Sequence, residues 1–323
     1  MANPAEMAAK KLAWNMESWK SIELRLREDF EKMAPTQGPD DVRTFRGDFH
    51  YIETAAGQRL SEEPTTADGG DRTLVSIHYS DGARSALLVR VDQGGVPGPE
   101  QVSIHRAFGK EDEGGMSHRP EPLRAFYAGL VPLSKALPKA NYLGEGRQLG
   151  RACDRFHFAG VAGSPGLNLV YWIDRETAAP LRLEYYADAT AYSEGRTTSA
   201  WIAESLDEVG GHHLSLKSEL VMYQFKGPDP RQVGSRYKIA VQEVAFDRDY
   251  PRAMFWPKIT GETTVVDMVK GKIDMPQSSA RTTTAAPIRA VEPGDWKPSI
   301  STVAIIAGST LLASGLVLRW RRR

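Results

Sequence analysis

Cysteine is nearly absent from this 323-residue chain. Cys153 stands alone, so no intramolecular disulfide can form, and a zinc site built on cysteine pairs is excluded with it. A small buried residue in a strand is the expectation for Cys153. Its mid-chain position, with no apolar leader before it, also rules it out as a lipid attachment point. Positive charge is not in excess: 41 basic side chains face 41 acidic ones, and Arg319, Arg321, Arg322 and Arg323 supply four of the basic set from the last five residues. The body is therefore mildly acidic, which argues against nucleic acid as a partner, because phosphate binding needs a basic patch or stripe.

Catalytic signatures are missing as well. The seven histidines form no His-Glu-x-x-His or comparable metal spacing. Ala162-Gly163-Ser164-Pro165-Gly166 lacks the first glycine of a nucleophile elbow, and there is no phosphate-binding loop. His212-His213 follows Gly210-Gly211 at an expected solvated turn, and His157 should face away from Phe156 and Phe158 in a strand. Carboxylates are plentiful, but no pair is forced to converge. No catalytic residue, metal ligand or cofactor is assigned, and the chain is expected not to be an enzyme.

What is present is ordinary globular composition, 41% hydrophobic and 25% charged, arranged in short alternating runs. Ile22, Leu24 and Leu26 alternate with Glu23, Arg25 and Arg27, the period of a half-buried strand, with a helix through Phe30 as the alternative. Phe45, Gly47, Phe49 and Tyr51 alternate likewise. Further strand-like runs fall at Leu74–Tyr79, Ala86–Val91, Gln101–Ala107, Cys153–Ala159, Asn168–Ile173, Leu181–Tyr186, Thr197–Glu204, Leu214–Met222 and Arg236–Phe246. Turn residues fill the gaps, so the fold class is mainly β with a few helices (α+β), an antiparallel sheet or barrel without internal repeats.

Two segments read as helices. One is residues 4–19, with Pro4 in its first turn. The other is Glu121–Leu137, where Leu123, Phe126, Tyr127, Leu130 and Leu137 follow helical spacing and Pro132 should kink or break it. It is either a cap on one end of the sheet or a lid over an apolar cavity.

The C-terminal part changes character. Residues 272–297 are rich in Pro, Thr and Ser and read as a spacer after a folded domain at 1–271. Residues 298–318 carry no charge, and Ile300 to Leu318 is long enough to cross a bilayer. Trp320 suits the interface, and the basic tail at 319–323 suits the cytoplasmic side. The body is then expected outside the cytoplasm, although residues 1–30 hold no apolar leader. Either the true start lies upstream, or the protein is tail-anchored with a cytoplasmic body. The tail also resembles C-terminal sorting signals of the PEP-CTERM type in Val291-Glu292-Pro293, the apolar run and the arginines, but it lacks the first proline of that motif.

The hairpin Tyr171-Trp-Ile-Asp-Arg-Glu-Thr-Ala-Ala-Pro-Leu-Arg-Leu-Glu-Tyr185 resembles a strand–turn–strand of the LolA/LolB-like lipoprotein-carrier superfamily. Asp174 suits the turn start, Pro180 opens the second strand, and Leu181, Leu183 and Tyr185 share one face. The run Tyr237–Phe246, then Asp249-Tyr-Pro-Arg-Ala-Met-Phe-Trp-Pro257 and Thr264-Val-Val-Asp267, is similar to the closing strands of those carriers, and Ala8–Ile22 to their opening. The resemblance implies a strongly curved antiparallel half-barrel with lid helices, holding acyl chains of a lipid or lipoprotein in an apolar cavity. It implies as cavity lining Ile22, Leu24, Leu26, Phe49, Tyr51, Leu181, Leu183 and Tyr185, with Leu123, Phe126 and Leu130 on the lid. Ordinary core packing is the alternative for each. A tethered body larger than the classical shuttles fits a local acceptor, donor or sensor better than a shuttle. The rival readings are a non-catalytic envelope scaffold and an enzyme without a local motif.

Overall fold

The computed structural model of the chain describes residues 3–32, 44–67, 70–106, 119–129, 131–161, 164–223 and 232–275. Helix α1 (Pro4–Glu17) leads into β1 (Ser21–Lys32), β2 (Thr44–Thr54), β3 (Arg59–Ala67), β4 (Arg72–Ser80), β5 (Arg84–Gln93) and β6 (Gln101–Arg106). A helical interlude follows: α2 (Glu121–Arg124), the two-residue strands β7 (Tyr127–Ala128) and β8 (Val131–Pro132), α3 (Leu133–Ala136) and a 3-10 turn at Leu137–Lys139. The chain then forms β9 (Asn141–Gln148), β10 (Arg151–Val161), β11 (Ser164–Asp174), β12 (Pro180–Tyr186), α4 (Ala189–Ser193) and β13 (Ser199–Ala203). Last come β14 (Asp207–Val209), β15 (His212–Leu214), β16 (Lys217–Tyr223), β17 (Val233–Phe246), a 3-10 turn at Arg252–Phe255, β18 (Thr264–Asp267) and β19 (Lys272–Asp274).

Fifteen of these strands form one sheet in the order β19-β18-β6-β5-β4-β3-β2-β1-β17-β16-β13-β12-β11-β10-β9. The order runs from edge to edge, so among the described residues the sheet is not closed into a barrel. Twist accumulates over so many strands and curves the sheet. Its pairings are antiparallel except that of β6 with β18. The short pairs β14–β15 and β7–β8 stand apart from it.

Pairing fixes which side chains share a face. Leu24 lies opposite Tyr51 and Leu26 opposite Phe49, while Glu28 pairs with Ile239 and Phe30 with Tyr237. These residues lie on the face that carries α1, the inner face. Helix α1 is capped by Asn3, whose side chain accepts from the Ala5 amide at 3.0 Å. Its buried stripe of Ala5, Ala8, Ala9 and Leu12 packs with Phe126, Leu133 and Leu137 on Phe156, Leu169, Tyr171, Leu181, Leu183 and Trp201. Beside this core, Leu123 packs with Trp19, Ile22, Leu24, Leu26, Tyr51 and Ile239.

The opposite face of the first six strands has its own core. Ile52, Leu60, Val75, Ile77, Ala86, Leu88, Val102, Ile104 and Val265 pack with Phe255, flanked by Tyr250, Met254 and Trp256. Glu23 secures the segment that carries these aromatics. Its carboxylate accepts from Arg248 Nη1 and Tyr250 Oη, each at 2.7 Å, and lies 2.8 Å from His50 Nε2.

Several expectations meet the structure directly. Residues 21–32 are strand rather than helix, Cys153 is buried in β10, and the 171–185 hairpin is β11–β12. Its turn is built as Asp174 requires: the carboxylate accepts from the Thr177 amide at 2.9 Å and Thr177 Oγ1 at 2.8 Å, and Pro180 opens β12. Other features differ. Glu121–Leu137 is not one helix but two single turns around a tiny hairpin, because Gly129 sits at φ +64° and Pro132 enters β8 at φ −50°. His212 is buried rather than solvated, with Nδ1 2.9 Å from the Asn15 carbonyl. Strand β19 occupies residues assigned above to the spacer. The expected spanning run Ile300–Leu318 lies outside the described residues. Among those described, no helix is long and apolar enough to cross a membrane.

Leu24 is fully buried and Val91 is 49% exposed, which separates two substitutions. Leu24→Ala should cost about 2–5 kcal/mol in urea-induced unfolding. Val91→Ala should stay within roughly 0.5 kcal/mol of the parent.

Candidate functional site

The inner face changes chemistry from one side of the sheet to the other. Over β9–β13 it is sealed by α1 and the residues around α3. Toward β3 it becomes polar, since Tyr51 pairs with Ser61, and Ser61 and Glu63 lie opposite His78 and Ser76. Glu28 joins this band from β1, and Glu121 and Arg124 join it from α2. Arg124 donates from Nη1 to Glu121 Oε1.

Burial decides the charge state of the band. Being surrounded by protein pushes the Glu28 carboxyl up to about 8, with the neighbouring Glu121 and Glu63 adding to the rise. Burial likewise lifts Glu63 to about 7 and drops His78 to about 4. Glu53 goes the other way. Burial alone would raise it, but Arg119, Arg59 and the Tyr51 hydroxyl hold it at about 2. Arg119 grips it through Nε at 2.9 Å and Nη2 at 2.6 Å, lying 4.0 Å over the Tyr127 ring. That bridge ties the segment before α2 to β2.

Beyond the polar band the inner face turns apolar again. Leu74 pairs with Val91, and Val89 and Leu87 lie opposite Ser76 and His78. Leu74, Leu87 and Val89 are half-buried and Val91 is exposed. Strand β6 interrupts the surface with Gln101, Ser103 and His105. It resumes at Val266, whose partner on β19 is Ile273. On β4, β5, β6 and β18 the opposite face is closed by the Phe255 cluster, whereas β19 is exposed throughout. From β4 to β19 the inner face crosses four strand spacings, roughly 19 Å.

The residues expected to line a cavity fall into two groups. Ile22, Leu24, Leu26, Tyr51, Leu123, Phe126, Leu181 and Leu183 are at most 3% exposed and form closed core. Phe49 and Tyr185 are half-buried at its margin, and Leu130 lies outside the described residues. The structure brings Ile22, Leu24, Leu26, Phe49, Tyr51 and Leu123 together, and separately Phe126, Leu181, Leu183 and Tyr185. The open positions Leu74, Leu87 and Val89 were not among those candidates, although their alternation was visible in sequence. A pocket of about 280 Å³ near the ends of β1, β2 and β17 is lined by Asp29, Arg46, Arg236 and Lys238 besides Phe30 and Phe45, and its charged walls do not suit an apolar ligand. Among the described residues no group of three His, Cys, Asp or Glu is placed to hold a metal.

No family model matches the chain, and no curated protein matches it. Among solved structures it is similar to a putative outer membrane lipoprotein-sorting protein domain from Vibrio parahaemolyticus, at 13% identity and a TM-score of 0.46, covering 78% of this chain and 97% of that one. A DUF1329 family protein from Desulfovibrio piger is similar at 13% identity and a TM-score of 0.45, covering 79% and 98%. A LolA superfamily protein from Nitrosomonas europaea is similar at 13% identity and a TM-score of 0.40, covering 79% and 99%. Likenesses of this size carry no inference about activity.

The polar band makes stability depend on pH. Glu28 and Glu63 keep their protons to higher pH in the folded state than in the unfolded chain. Their contribution is therefore complete below the unfolded value of 4.5 and is lost as pH rises toward about 8. Glu28→Gln should flatten the fall in urea stability between pH 6.5 and 8.5, a slope of at most about 1.4 kcal/mol per pH unit for one group. An unchanged slope would remove Glu28 as its source.

Proposed function

We propose that the chain is an envelope protein that binds an apolar chain of a lipid or lipoprotein along the inner face of β4, β5, β18 and β19. One contrast supports the reading. On β4, β5 and β18 the opposite face is a closed core, whereas on the inner face Leu74, Leu87, Val89 and Val266 stay half-buried and Val91 exposed. Exposed apolar surface bordered by polar groups marks an interaction site in soluble domains. One leaflet of a hydrocarbon core about 30 Å thick is about 15 Å deep, so a single acyl chain fits the roughly 19 Å span. The half-buried Glu63 and His78 border this surface and could face a polar head.

Such binding uses no catalytic group and no cofactor. The closed core beneath α1 is what the rival scaffold reading expects, since there the half-barrel serves only as architecture. The test is native mass spectrometry, with lipid extraction, of the full chain released from its membrane in mild detergent. Co-purifying acyl lipid should fall at least about tenfold in Val89→Asp with the melting curve kept, as expected when an unpaired charge enters an apolar site. A clean apo mass with no uptake of a fluorescent fatty acid would transfer the weight to a scaffold.

Ile300–Leu318 is proposed as the anchor, with the body outside the cytoplasm and Arg319–Arg323 inside. The charge-free run, Trp320 and the terminal arginines support that orientation. The chain should resist alkaline carbonate extraction from membranes, and external protease should degrade its body in intact spheroplasts. A body digested only after lysis would place it on the cytoplasmic side.

A further inference from the structure

The apolar character of the inner face continues past the sheet into its last hairpin. Met268 is 63% exposed, Ile273 64% and Met275 66%. Val266 lies opposite Ile273, so the two share a face, and strand alternation adds Met275 to it. The other face of the hairpin turns inward through Val265, which is buried in the Phe255 cluster. Strand β19 thus presents one apolar edge outward while its partner strand is fixed to the body. The tip turns on Gly271 at φ +64°. Its lysines are neutralised where they stand, Lys270 by Asp267 at 3.4 Å and Lys272 by Asp274 at 2.7 Å. The tip therefore carries exposed apolar side chains without net charge.

The place where the chain leaves this hairpin identifies what covers it. From Met275, 22 residues lead to the charge-free run that starts at Pro298. Even fully extended they reach no more than about 80 Å, which sets the tether between the hairpin and any bilayer that holds that run. We propose that the β18–β19 tip docks into the surface of the bilayer in which the same chain is anchored, with Met268, Ile273 and Met275 entering the interface. The inner face of β18 and β19 then meets the membrane, and the apolar positions of β4 and β5 lie one polar strand, β6, away from it. This inference rests on the anchor and the lipid-binding reading, and it adds the orientation of the body on the membrane.

The test uses the full chain in nanodiscs of phosphatidylcholine and phosphatidylglycerol. Cys153 is buried, so a cysteine placed elsewhere on the folded protein can be labelled selectively. Met268→Cys carries an environment-sensitive fluorophore, and Glu145→Cys, on β9 at the far edge of the sheet, is the control. Docked tips lie about 5–10 Å into the boundary between headgroups and chains, so brominated acyl chains should cut the label at 268 roughly twofold and leave that at 145 unchanged. A chain held in the disc with label 268 in water overturns the docking and leaves the anchor standing. Blue-shifted but unquenched emission would mean that hairpins meet each other or another protein, and overturns it too. A chain that never enters the disc refutes the anchor first, and the docking with it.

Discussion

The pairing of β1 with β17 holds the molecule together. Strands β1 to β6, with β18 and β19, lie on one side of it, and β9 to β13 with β16 and β17 lie on the other, so among the described residues this ladder alone joins the two halves of the sheet. It is long, running from Ile22 opposite Phe246 to Lys32 opposite Ser235, with one register shift between Arg25 and Leu26. Because side chains alternate, a slip of one residue would move Ile22, Leu24 and Leu26 from the inner core to the opposite face. The fully buried positions of those three residues set the register on which the inner face depends.

From that ladder outward, the structure sorts apolar surface by what covers it. On one side, helices seal the inner face. On the other, the chain returns to seal the opposite face with Phe255, Met254 and Trp256 and leaves the inner one open. The polar band of Glu28, Glu63, Glu121 and Arg124 separates the sealed from the open part. Carboxylates largely surrounded by protein are costly when ionised, and here Glu28 and Glu63 are raised to about 8 and about 7, which limits that cost. The Glu53–Arg119 bridge meets the same difficulty by the opposite route, with full charge and full pairing.

Much of the fold could be read from alternation. The strands around Leu24, Phe49, Ile77, Leu88, Tyr171 and Leu183 follow the period of two, and Asp174 with Pro180 marks their turn. Strand β3 was invisible because Glu62, Glu63, Pro64, Thr65 and Thr66 serve a polar band and do not look like a strand. Strand β9 was hidden by Gly144 and Gly146, the latter lying so close to the Trp172 ring that a side chain there would clash. The 121–137 segment kept helical spacing although Gly129 and Pro132 divide it. The site was harder still, for a physical reason. Alternation tells which residues share a face and says nothing about whether another element lies over it. Leu24 and Val89 look alike in sequence, yet one is sealed under Leu123 and the other is half open.

The central ladder also imposes a timetable on synthesis. About 200 residues separate the end of β1 from the start of β17, and a ribosome adds roughly 5–20 residues per second. For about 10–40 seconds of synthesis a β1–β2 hairpin, were it formed, would have one edge of β1 paired and the other bare. An unpaired strand edge of that length is a template for joining other chains. Exposure to misassembly is thus set by how far apart β1 and β17 lie along the chain as much as by the stability of the finished sheet.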